Sequence, residues 1–193
     1  RSRFWGTPLP IWRTDDGSEE ICIGSVEELK AEMQKAVVAG FMKQDIFDSF
    51  EVGNNTEENY EKIYLHKNIV DTLVLVSPSG KPMKREADLI DVWFDSCSMP
   101  FAQWHYPFEN KELIDENKFF PADLIAEGVD QTRGWFYTMH AISSLVFDSV
   151  AYKNVISNGL LLDKNGQKMS KRLGNAADPF ETLSKYGPDA TRW

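Results

Sequence analysis

Between residues 122 and 162 an apolar run, a longer helix-like segment and a second apolar run follow one another with short connections. Ala122-Asp123-Leu124-Ile125-Ala126 predicts a strand, residues from about Gln131 to Phe147 a helix, and Asn154 to Leu162 another strand. Strand, helix and strand joined this tightly imply a right-handed βαβ unit within a parallel sheet. Open α/β sheets take their ligands beyond the strand C-terminal ends, so function is sought after Ala126 and after the second strand. The same texture begins near residue 86, where Leu89-Ile90-Asp91-Val92-Trp93-Phe94 reads as a buried strand.

The first part of the chain has a different character. Pro8 and Pro10 keep residues 1–12 extended. Ile21-Cys22-Ile23 is a short strand. Ser25-Val26-Glu27-Glu28 has the capping-box pattern, and Val26, Leu29, Met33 and Val37 recur at helical spacing. A helix over about 26–39 is therefore expected, with Gly40 stopping it. Residues 51–62 form the most polar run and are read as an exposed loop. Thr72 to Val76 is a strand, followed by a turn at Pro78-Ser79-Gly80. Near the other end, Lys164-Asn165-Gly166 is a tight turn, and Asp178-Pro179 starts a helix that Gly187 ends.

With 193 residues the chain is long enough for one domain, or for one domain with an insertion. No window approaches the roughly 18 apolar residues of a membrane span. Cys22 and Cys97 lie far apart and read as reduced thiols. Asn54-Asn55-Thr56 matches a glycosylation sequon by chance. The net charge of -9 disfavours an autonomous nucleic-acid binder, since basic residues cluster only at Lys81 to Arg85 and Lys168 to Arg172. Arg1-Ser2-Arg3-Phe4-Trp5 reads as the middle of a sequence and Pro188 to Trp193 as the first turn of a helix. A piece of a longer chain is expected.

Two stretches carry chemistry. Lys168-Met169-Ser170-Lys171-Arg172 puts two lysines beside a hydroxyl in a loop with Gly166 and Gly174 at its sides. Alone it is as readily a solvated basic loop as a phosphate site; its position after a strand, on a turn, favours phosphate. A mobile ammonium can follow charge moving onto a leaving pyrophosphate. Glu127 is either an exposed strand-end acid or an acceptor for an ammonium or ribose hydroxyl. Gly128 allows close backbone approach, which favours the second reading. Trp93 and Trp135 are core residues by default, yet both are placed by strand ends, where a pocket belongs. Gln131 and Trp135 are four apart, on one face of the expected helix. His66, His105 and His140 have no metal-ligand spacing, and Ser96 and Cys97 have no identifiable base.

These stretches, in this order, resemble the isoleucyl-tRNA synthetase family of class I aminoacyl-tRNA synthetases. Trp5-Gly6-Thr7-Pro8-Leu9-Pro10-Ile11-Trp12 is similar to the segment where that family's chain re-enters its catalytic domain after the editing insertion. Asp91 to Ser96 is similar to a strand motif of the family. Phe120 to Tyr137 resembles the segment contacting amino acid and adenylate, and Lys168 to Arg172 resembles the KMSKS-type loop, here ending in Arg. The Asp130-Gln131-Thr132-Arg133-Gly134-Trp135-Phe136 run is closer to the isoleucine enzymes than to the valine, leucine or methionine relatives. Cys97 departs from the glycine usual there, and the His-Ile-Gly-His motif and editing domain are missing.

The resemblance implies an α/β fold: the C-terminal half of a Rossmann-like class I catalytic domain with a smaller α+β insertion. Residues 1–12 would be the re-entry segment, 13–85 the insertion and 86–193 the second half of the nucleotide-binding domain. It implies a share in ATP-dependent activation of L-isoleucine to the adenylate and its transfer to tRNA(Ile), in the cytoplasm. ATP would come with Mg²⁺, and this chain would bind no metal itself. Most tRNA contact would lie in parts not present here, and no membrane is involved. Lys168 and Lys171 would be catalytic, and Lys168, Met169, Ser170 and Lys171 would bind ATP. Glu127, Gly128, Asp130, Gln131, Trp93 and Trp135 would bind amino acid and adenylate. The fragment alone is expected to be inactive. The competing reading is an autonomous RNA- or partner-binding module without catalysis.

Overall fold

A computed structural model of the chain describes residues 5–192. Arg1 to Phe4, the start of the expected entry segment, and Trp193 lie outside the described residues. The chain divides after Ser96 into two compact units.

The first unit is built on a four-stranded antiparallel sheet, β2-β1-β4-β3, with β1 at Ile11–Thr14, β2 at Glu20–Cys22, β3 at Val74–Val76 and β4 at Pro82–Arg85. Helix α1 (Val26–Val38) follows β2. Ser25 caps it by accepting from the Glu28 amide, while the Glu28 carboxylate accepts from the Gly24 amide at 2.7 Å. This capping box thus reaches back one residue further than the standard pattern. Gly40 leaves the helix at φ 80°, a left-handed turn that suits glycine. The apolar face of α1 (Leu29, Met33) joins Trp12, Ile23, Phe47, Phe50, Val70, Leu73, Leu75 and Met83 in one buried core. The Trp12 indole N–H donates to the Leu73 carbonyl, so its polar edge is satisfied inside that core.

Two expectations fail in this unit. Residues 51–62 are not a plain loop: Glu57–Tyr60 form a short helix, α2, and Asn59 is 1% exposed. Its side-chain amide holds three backbone groups, those of Glu51 (amide and carbonyl) and Asn54. A polar residue is thereby buried because every bond it needs is local, which composition cannot reveal. Residues 89–94 are not a strand either. A second short helix, α3 (Lys67–Val70), precedes β3, and Val92–Cys97 form helix α4. Asp91 starts α4 by accepting from the Trp93 amide at 2.8 Å, and local capping prevails over the apolar run.

The basic cluster at Lys81 to Arg85 is consumed within the unit. Lys81 pairs with Asp16, Lys84 with Asp15 and Arg85 with Asp71. The Arg85 side chain is 1% exposed and also donates to the carbonyls of Leu9 and Asp88. Arg85→Met should lower stability by about 2–4 kcal/mol, because it strands those carbonyls and removes a buried guanidinium from its ion pair with the half-exposed Asp71. Urea unfolding monitored by tryptophan fluorescence checks this.

Acid should loosen the same unit. Asp16 is held well below the usual carboxylate range by Lys81, then by Thr14 and Ser18. Glu19 is lowered by the hydroxyls of Ser79 and Ser77. Carboxyls depressed in the folded state stabilise fully above their unfolded pKa of about 4 and lose that contribution as pH falls through the folded values. The thermal midpoint should therefore fall on acidification below about pH 4, and Glu19→Gln should flatten that slope.

The second unit starts with short helices α5 (Met99–Ala102) and α6 (Lys111–Asp115). Strands β5 (Ala122–Gly128) and β6 (Tyr152–Asn158) pair in parallel through helix α7 (Trp135–Phe147), the expected βαβ order. Ile125, Phe136, Met139, Ala151 and Cys97 form its buried core. Phe101, Phe120 and Tyr106 gather around Phe147, with ring centroids 4.6–5.7 Å from it.

Here too the expectation needs correcting. The helix does not begin at Gln131: Val129–Arg133 is a 3-10 turn, and Gly134 separates it from α7. Strand β6 ends at Asn158 rather than Leu162, and apart from Tyr152 its residues are exposed. Leu124, Val155 and Ile156 are each about half exposed, although parallel strands are normally covered on both faces. Beyond β6, Leu162 and Lys168 form an antiparallel bridge around the turn at Gly166. Asp178 caps α8 (Pro179–Tyr186), Gly187 ends it, and α9 (Pro188–Arg192) follows.

Candidate functional site

Strand β5 delivers Glu127 and Gly128 at its C-terminal end, in register with Ser157 and Asn158 of β6. Glu127 is exposed. Gly128 has an ordinary negative φ, so its value is space: a Cβ there would stand 2.7 Å from Asp130 Oδ1. The missing side chain lets the Asp130 carboxylate fold back against the strand end. A larger residue at 128 would push that carboxylate away.

The 3-10 turn then gives Gln131 a specific task. Its Oε1 accepts from the Trp135 amide at 2.9 Å, satisfying an orphan donor at the start of α7. Gln131 and Trp135 are thus joined as expected from their spacing, but by a capping bond rather than a shared helix face. Trp135, partly buried, packs on the core beneath α7. Thr138 donates to the Gly134 carbonyl at 3.0 Å and lies 2.9 Å from the Cys97 thiol. Cys97 is therefore a buried structural thiol. Trp93 belongs to the first unit and is exposed in the first turn of α4, not at a strand end.

The loop after β6 is held by side chains that sequence reading overlooked. Asp163 accepts from the amides of Asn165 (2.8 Å) and Gln167 (2.9 Å), closing the turn at Gly166. Its other oxygen accepts from Asn175 Nδ2 at 2.9 Å. Asn175 also accepts from the Ser170 amide at 2.9 Å and donates to the Lys168 carbonyl at 3.3 Å. These bonds hold the Asp163 carboxyl below its usual range, Asn175 contributing most. Among the described residues, neither Lys168 nor Lys171 is drawn into a salt bridge. The Asp-x-x-Gly spacing before the lysines was the available signal for the turn.

A concavity of about 310 Å³ lies elsewhere, between α7 and β6, lined by Thr132, Phe136, Tyr137, His140, Tyr152, Val155 and Ser157. None of the expected site residues borders it. Tyr137 and His140, three apart on α7, went unnoticed as a pair. Among the described residues no cluster of His, Cys, Asp and Glu could hold a metal ion. None of the described helices is long and apolar enough to cross a membrane.

Isoleucine–tRNA ligases of Bacteroides fragilis (strain YCH46) and Porphyromonas gingivalis (strain W83) are 67% and 65% identical over 195 and 193 residues. That of Clostridium acetobutylicum is 50% identical over 194 residues. Each alignment takes in all of this chain but only 16–17% of the relative. Among solved structures, the LeuRS of Agrobacterium radiobacter K84, in a ternary complex with tRNA and LeuAMS, matches with a TM-score of 0.58 at 21% identity. It covers 98% of this chain and 22% of that one. The fold is therefore α/β of the synthetase kind, with a parallel pair and an antiparallel sheet. A family model described as tRNA synthetases class I (I, L, M and V) matches residues 1–193, and the chain belongs to that family.

Proposed function

We propose that the chain is the KMSKS-bearing part of the catalytic domain of a cytoplasmic isoleucine–tRNA ligase. Residues 1–12 are its re-entry segment, 13–85 its α+β insertion and 86–193 the second half of its nucleotide-binding domain. The observation that carries this is 65–67% identity to isoleucine–tRNA ligases along the whole chain. The half-exposed apolar residues of β5 and β6 support it, since a sheet continued by further elements would cover them.

In this reading isoleucine and ATP meet beyond the C-terminal ends of β5 and β6. A carboxylate oxygen of isoleucine attacks the α-phosphorus in line; the bond to the bridging α–β oxygen breaks, and pyrophosphate leaves with the electron pair. The adenylate is then consumed by tRNA(Ile). No protein nucleophile is needed, so the residues work by positioning and charge. Lys171, assisted by Lys168, stabilises charge on the departing pyrophosphate, with Met169 and Ser170 lining the ATP site. Glu127 accepts from the substrate, and Gly128 and Asp130 shape the adenylate side. Gln131 and Trp135 shape the amino-acid pocket. Mg²⁺ accompanies ATP as part of the substrate, and no residue cluster here is assigned to it.

The test is an exchange of this segment for the matching one in the full-length B. fragilis ligase. The chimera should support isoleucine-dependent ATP–pyrophosphate exchange, whereas the 193-residue chain alone should not, because positioning fails when one wall of the site is missing. A soluble, folded chimera without exchange would overturn the proposal.

A further inference from the structure

Lys168 and Lys171 can reach a phosphate when the neck of their loop is held and their ammonium groups stay out of ion pairs and free to move. The side chains that shape the loop are neither lysine. Asn175 grips the backbone on both sides of Met169, accepting from the Ser170 amide at 2.9 Å and donating to the Lys168 carbonyl at 3.3 Å. Asp163 holds Asn175 at 2.9 Å and, through two backbone amides, the turn at Gly166 that leads into the loop. Its backbone N–H also donates to the Gln167 carbonyl at 2.8 Å. The two residues are 12 apart and meet across the loop, like a clasp at its neck. Gly174, at φ 66°, makes the turn that returns the chain to Asn175. The same bonds hold the Asp163 carboxyl below its usual range, which fits its part as the acceptor of the pair.

We propose that Asp163 and Asn175 are positioning residues for adenylate formation: their side-chain pair closes the neck of the Lys168–Arg172 loop and so fixes where Lys171 stands when pyrophosphate leaves. This rests on the phosphate reading of the loop proposed above. A clasp that served only folding would change stability and every kinetic constant together; a positioning clasp changes the chemical step alone.

The geometry provides its own rescue. Asp163→Asn sets one amide N–H₂ against another, and Asn175→Asp sets two carboxylates together. The double variant restores an amide–carboxylate pair with the roles exchanged, and the carboxylate now at position 175 can still accept from the Ser170 amide, although it no longer donates to the Lys168 carbonyl. In the active chimera, each single variant should slow adenylate formation roughly tenfold or more, with the isoleucine dissociation constant within about twofold of the parent, and the double variant should recover part of the loss, the bond to the Lys168 carbonyl staying absent. Thermal unfolding should stay close to the parent in all three. A double variant no faster than the worse single one, or single variants at parental rate, would overturn the clasp. Equal losses in isoleucine binding would also overturn it, by making the role structural. Lys171→Ala, run alongside, separates the two claims. If it is slow while the clasp variants are not, only the clasp falls; if it is at parental rate, the phosphate reading falls first.

Discussion

Lys171→Ala in the active chimera should lower the rate of adenylate formation by roughly 10²-fold or more, on the scale of losing one preorganised charged donor. The isoleucine dissociation constant should hardly move. Two observations motivate this separation. The loop from Lys168 to Arg172 is shaped by Asp163 and Asn175, and no salt bridge among the described residues engages Lys171. A cation left out of ion pairs on a shaped loop acts where new negative charge develops, which in the proposed function is the departing pyrophosphate. Lys171→Arg should recover only part of the loss, because a planar guanidinium does not present its charge as a compact ammonium does.

Trp135→Ala should do the reverse. Trp135 opens α7, its amide held by Gln131 and its ring partly buried against the core of the second unit. Removing the ring takes an apolar wall from the proposed amino-acid pocket, and ground-state isoleucine binding should weaken by about 1–3 kcal/mol. Trp135→Phe should cost less, since it keeps an apolar ring in place. Gln131→Ala should show a milder version of the same defect through loss of the bond that fixes the start of the helix. Equilibrium binding of isoleucine to each variant, by calorimetry, checks the order.

The parallel βαβ order of the second unit was legible because periodicity changes sharply between Ile125, Phe136 and Val155. Helix α1 was equally legible, from Ser25 and the Leu29–Met33 spacing. What escaped was decided by hydrogen bonds that composition does not encode. Asp91 turned an apolar, strand-like run into a helix, and the buried Asn59 side chain ties down an otherwise exposed short helix inside the most polar stretch. Gln131 belongs to a 3-10 turn because Gly134 breaks the path to α7. In the site, charged and aromatic residues stood out as candidates for chemistry, since such side chains announce themselves. Asp163 and Asn175 did not, because their role lies in contacts with backbone groups across the loop. The basic run at Lys81 to Arg85 shows the converse: a cluster conspicuous in sequence is neutralised by Asp16, Asp15 and Asp71 once folded.

The central claim is a division of labour, with the loop acting on phosphate and the α7 entrance acting on the amino acid. Single-turnover kinetics on the chimera and its Lys171→Ala and Trp135→Ala variants test it most directly, by giving the rate constant for adenylate formation and the isoleucine dissociation constant for each protein. The account predicts that Lys171→Ala collapses the rate constant and leaves isoleucine binding in place, while Trp135→Ala weakens binding first. Weakened isoleucine binding with an intact chemical step in Lys171→Ala would contradict it.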